Sequence, residues 1–191
     1  MRNDWFLHNW MYAGFLAGLF LLAIAPIFAA AVGLPLLLVY LQLPVYMLHQ
    51  LEEHYDDRFR KFVNELLAGG REALSTPAVV VINVLGVWGV ILIALYLSRF
   101  VGLGLGLIAI YLTLVNALVH FVGAAAQRRY NPGLATAVAL FLPVGIWGLI
   151  VVSATAGVTA TDHVVGLAVA ILIHVAIALH LKQRVAALAA A

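Results

Sequence analysis

The residues of this chain best able to do chemistry are histidines and carboxylates, set at helical spacing inside apolar sequence. His49, Glu52 and Glu53 stand at i, i+3 and i+4, which puts all three on one face of a helix. Gln42 lies on that face two turns earlier, and Asp56 and Arg60 extend it if the helix continues. Asn116 and His120 form an i, i+4 pair, with Thr113 and Gln127 on the same stripe, and His174 and His180 fall near the end of a later apolar run. Asn83 adds an amide about 9 Å into its own span, by helical rise. The chain has no cysteine, so thiolate sites, disulfides and a cysteine nucleophile are excluded. Imidazole nitrogens with carboxylate oxygens are a ligand set for iron, zinc or manganese. The candidate ligands are His49, Glu52, Glu53, His120, His174 and His180. They suffice for two ions bridged by a carboxylate, with one ion as the alternative. Helical di-iron proteins carry a Glu and a His one turn apart on facing helices, and His49 with Glu52 repeats that pattern in reverse order.

Each of these residues also has a plainer reading. Acidic side chains are ordinary where a span ends, and an asparagine or histidine inside a bundle can be packing glue worth about 0.6 kcal/mol. Against this, an ionisable group in hydrocarbon costs a few kcal/mol. Residues placed for packing alone have no reason to share a depth with two carboxylates. The other histidines are weaker candidates: His8 is in the N-terminal interface, His163 opens the last span on the opposite side, and His54 points about 140° from His49, toward solvent or headgroups. The four tryptophans read as belt or packing residues.

The elements that must position these groups are membrane spans. Hydrophobic residues make up 65% of the 191 and charged residues 9%, against roughly a quarter charged in a soluble domain. Residues 10–48 carry no charge, too long a stretch for one crossing, and Gly33 with Pro35 supplies a break. The resulting expectation is an all-α polytopic bundle, a single transmembrane domain over residues 1–191. Its six spans lie near 10–31, 34–51, 77–97, 102–123, 134–154 and 163–181. A polar segment between Glu52 and Thr76 reads as an interfacial helix ending at Gly69-Gly70. The first run ends in Ala29, Ala30 and Ala31 but reads as a span and not an export signal, because Asp4 spoils the basic leader and Trp5 and Trp10 suit an interfacial belt. With six spans every Lys and Arg except Arg99 falls on one side: Arg2, then Arg58, Arg60, Lys61 and Arg71, then Arg128 and Arg129, then Lys182 and Arg184. Basic loops favour the cytoplasm, so both termini are expected inside an inner or plasma membrane, with the site near its cytoplasmic leaflet. The net charge of +2 sits in loops and forms no patch for nucleic acid. Oligomeric state has no sequence signal.

His49-Gln50-Leu51-Glu52-Glu53, then Asn116-Ala117-Leu118-Val119-His120 and the late histidines resemble the motifs of the HXXEE-domain membrane proteins. Tyr130-Asn131-Pro132-Gly133, which reads alone as turn chemistry, resembles that group together with Leu134, Ala135 and Thr136. The resemblance covers about Leu36 to Leu181 and implies metal binding, with His49, Glu52, Glu53, Asn116 and His120 as functional positions. Its third motif has two histidines four apart. Here they are six apart, which turns His180 about 120° from His174 and leaves open which of the two is a ligand.

The leading functional expectation is a membrane-embedded metalloenzyme, di-iron and non-haem, hydroxylating or desaturating a lipid or apolar small molecule. In it Glu53 bridges or acts as general base, and Asn116 orients a ligand or the substrate. The first alternative is an intramembrane hydrolase or protease in which glutamate activates water. The intramembrane CAAX-type proteases combine similar residues, but here Arg58 falls one residue beyond the spacing expected after the glutamate pair and the asparagine precedes its histidine. The second alternative is a metal or proton transporter or sensor, which the nearly bare outer half of the spans disfavours.

Overall fold

The computed structural model describes residues 5–190, and the regular structure among them is entirely helical. The helices are α1 (Trp5–Val32), α2 (Leu34–His54), α3 (Arg58–Ala68), α4 (Thr76–Phe100), α5 (Leu103–Gln127), α6 (Leu134–Ser153) and α7 (Ala160–Ala190). Six are long and apolar enough to cross a membrane, the second of them running on through α3. Each expected span coincides with one of them, two of them (102–123 and 134–154) overrunning the helix by a single residue. Arg2 and Asp4 lie outside the described residues. α7 runs beyond its expected end to Ala190 because its alanine-rich tail is strong helix former, so Lys182 and Arg184 ride on a helix and not in a loop.

Local chemistry sets the breaks. Gly33 takes φ +78 between α1 and α2, with Pro35 in the first turn of α2. α2 does not continue into the polar segment: Asp56 and Asp57 adopt left-handed backbone, φ 51 and 61, so Asp56 and Arg60 leave the stripe that His49 begins. α3 ends at Gly69, and Asn64 fixes the following loop by exchanging two hydrogen bonds with the backbone of Leu74, at 2.7 and 3.0 Å. Ser75 caps α4.

α2 is the buried centre, contacting α1, α4, α5 and α6, while α7 packs along α5. Leu38, Val39, Tyr46, Ile91, Leu107, Leu112 and Phe141 fill the core. Gly106 lets α5 pack closely on α2, since a Cβ there would stand 2.4 Å from Val39. Phe20, Ile27, Leu85 and Phe100 face outward, uncovered by protein, as lipid-solvated side chains would. Segments of α4 (Val81–Trp88) and α6 (Ala137–Phe141) are wound as π-helix, a form frequent at functional sites. The C-terminal end of α2, the start of α4, the end of α5, the start of α6 and the second half of α7 meet at one end of the bundle.

Candidate metal centre

One turn of α2 separates His49 from Glu53, and both are buried there. α5 brings His120 to the same point. The three are the group among the described residues with ligand atoms all within 4.8 Å of one another. Glu53 Oε2 lies 3.5 Å from His49 Nε2, and Glu53 Oε1 lies 3.6 Å from His120 Nε2. Those separations are long for a hydrogen bond. Two donors about 2.1 Å from one ion at an angle between 90 and 109° stand about 3.0–3.4 Å apart, close to what is seen.

The far side of each imidazole fixes its tautomer. His120 Nδ1 is 2.9 Å from Asn131 Oδ1, while Asn131 Nδ2 donates to the His120 carbonyl at 2.8 Å. That second bond orients the amide, so His120 Nδ1 must donate, and in the neutral ring Nε2 carries a lone pair toward Glu53. His49 Nδ1 is 2.8 Å from Thr136 Oγ1, and that hydroxyl donates at 2.5 Å to Glu52 Oε2. With its only proton used, Thr136 can only accept from His49 Nδ1. His49 Nε2, shut off from solvent and without a hydrogen-bond partner, therefore also presents a lone pair. With both imidazoles neutral, two lone pairs and a carboxylate converge in a buried space that can hold a cation.

Glu52, expected as a ligand, is turned to the start of α6. Its carboxylate accepts from the backbone N–H of Thr136 at 2.7 Å and of Ala135 at 3.2 Å, from the Thr136 hydroxyl, and from the Tyr130 hydroxyl. Partial burial and the Glu52 carboxylate together push the Tyr130 hydroxyl up to about 12, which keeps it a donor. Glu52 thus caps α6 and, through Thr136, holds His49. Its i, i+3 relation to His49 is real, but the side chains diverge around the helix. His180 is exposed on α7 and stands apart from the group. His174 is half-buried; its Nδ1 donates to the Ala170 carbonyl at 2.8 Å, and it lines the same cavity as Glu53 and His120. Asn116 donates to the Tyr46 hydroxyl at 2.6 Å.

Other expectations change. His54 does not face solvent: it is buried between Trp10 and Phe59, ring centroids 5.0 and 5.5 Å away, with Nε2 3.2 Å from Glu53. The turn between α2 and α3 folds Phe59 back over it, and Trp10 of α1 closes the other side. Gln42 and Thr113 bond back to their own helices, and Asn83 accepts from Gln50 at 2.8 Å. His163 pairs with Tyr111 at 2.8 Å at the other end of the bundle.

Gly133, Asn131 and Thr136 are the positions that spacing does not find. Gly133 holds φ +98, and a Cβ there would lie 2.6 Å from His120 and 2.8 Å from His49. Residues 40–148 match a family described as "Protein of unknown function with HXXEE motif". The chain belongs to the HXXEE family. The motif's three named residues, His49, Glu52 and Glu53, divide into two that face the centre and one that caps the helix beside it. The matched range also contains Asn116, His120, Asn131, Gly133 and Thr136. No curated protein and no solved structure matches the chain.

Proposed function

We propose that this HXXEE protein binds one metal ion through His49, Glu53 and His120 and uses it to transform an apolar or lipid molecule at the cytoplasmic side of a membrane. The observation that carries the reading is the pair of imidazole lone pairs aimed at one buried carboxylate across gaps too wide for hydrogen bonds. Two histidines and one carboxylate are the donor set of non-haem iron oxygenases, and also of zinc hydrolases. The apolar cavity on which Glu53 and His120 open favours iron and oxidation, the reaction class suited to unactivated hydrocarbon; hydroxylation would draw its electrons from an external donor. With Glu52 committed to α6, one ion replaces the pair that the sequence motifs suggest. When bound, the ion would supply activation of oxygen or water. His49 and His120 would hold the ion, Glu53 would balance its charge, and His174, which lines the same cavity with its Nδ1 engaged by Ala170, would offer Nε2 to a substrate proton.

Purified protein in mild detergent, assayed for iron, zinc and manganese per chain, tests this reading. One iron with an oxygen-sensitive optical spectrum is the expected result, one zinc shifts the reading to hydrolysis, and metal retained in both His49→Ala and His120→Ala removes the site.

A further inference from the structure

Beside the metal centre lies a cavity of about 520 Å³, enclosed by α4, α5 and α7 with α3 across its end. Its walls are apolar except for a short polar stretch that includes Tyr46, Asn116, Glu53, His120 and His174. Most of this stretch is already engaged. Asn116 is different: its Nδ2 donates to the Tyr46 hydroxyl, while its Oδ1 is shut off from solvent and has no hydrogen-bond partner. The Tyr46 oxygen accepts in that bond, so its own proton is unused as well. A fully buried tyrosine and its neighbouring amide, both in the cavity wall, therefore leave one donor and one acceptor unpaired, an arrangement that is costly unless a ligand answers it.

We infer that the cavity binds an uncharged long-chain molecule carrying a hydroxyl. The hydroxyl donates to Asn116 Oδ1 and accepts from Tyr46, and the chain lies along the apolar wall. A ketone or ester answers only the tyrosine. A charged head would be left without a counter-ion once Glu53 is engaged by the metal. The volume falls in the range of small-molecule sites, roughly 300–1,000 Å³. Val119, Ile171 and Val175 line the cavity and are also exposed on the apolar outer surface, so a hydrocarbon chain can enter from the bilayer without crossing water. This deepens the reading of the metal centre by naming its substrate class, yet binding itself needs no metal.

The test is equilibrium binding of radiolabelled hexadecan-1-ol and its methyl ether to the full chain in lipid nanodiscs, at equal mole fraction in the bilayer. Saturable alcohol binding about tenfold tighter than ether binding is expected from loss of the donor. Asn116→Leu should bring the alcohol down to the level of the ether, whereas Tyr46→Phe, which removes the one donor that both oxygens use, should weaken alcohol and ether alike in a protein of unchanged shape. Equal retention of alcohol and ether by the wild type overturns the inference, as does full discrimination retained by Asn116→Leu. Metal content measured on the same samples separates the two ideas. Discrimination without metal leaves the pocket and removes the metal centre, and metal without discrimination does the reverse.

Discussion

Glu52 and Glu53 are neighbours on α2, but the regions they enter differ in whether their polar groups are satisfied. Around Glu52 the accounts close: two backbone N–H groups at the start of α6 and two hydroxyls donate to one carboxylate. Around Glu53 they stay open, with three imidazole Nε2 atoms at 3.2, 3.5 and 3.6 Å and two of these nitrogens without a hydrogen-bond partner. Native interiors pair their buried polar groups. A region that is satisfied is explained by the fold, whereas one left open points to something that binds there. The closed region also serves the open one, since Glu52 reaches His49 through Thr136.

The largest effects should come from the open region. Glu53→Gln, His49→Ala or His120→Ala should each abolish stoichiometric metal, lowering affinity by more than the roughly 100-fold that loss of a supporting partner can cost; inductively coupled plasma mass spectrometry on purified protein reads this directly. Next comes Gly133→Ala, which strains a left-handed backbone position and drives a methyl into both imidazoles. Loss of about 1–3 kcal/mol in thermal unfolding is expected, together with weakened metal binding. Thr136→Val keeps the shape and removes the acceptor behind His49, so metal affinity should fall about 10–100-fold with little change in melting temperature. Glu52→Gln tests the contrast itself. It should lower stability by up to about 2 kcal/mol through the start of α6 while metal stays stoichiometric; if it empties the site as Glu53→Gln does, the division between the glutamates is gone. His180→Ala, at an exposed position, should change neither metal content nor stability.

How far the site was legible follows from the range of each signal. His49 with Glu53, and Asn116 with His120, are pairs one helical turn apart, so helical period alone put each pair on one face. Period could not separate Glu52 from Glu53, because residues three and four positions from His49 flank it on opposite sides and the neighbouring helix decides which direction each takes. His54 was misjudged for a related reason: its angle from His49 holds, but that face of α2 is covered by Trp10 of α1 and by Phe59 of α3, which the left-handed turn at Asp56 and Asp57 folds back over the imidazole. The roles of Asn131, Gly133 and Thr136 rest on packing against residues up to 87 positions away, and turn chemistry at Tyr130-Asn131-Pro132-Gly133 gave no hint of a partner.

Six spans, their breaks, and the layer in which ionisable groups collect were determined by the sequence alone, because hydrophobic run length and helical period are local properties of the chain. Which lone pairs converge, which carboxylate is taken up by a helix start, and where an apolar cavity meets them were decided only by tertiary structure. Those outcomes depend on how α2, α5 and α6 rotate against one another and on the side-chain directions that follow, which no single segment specifies.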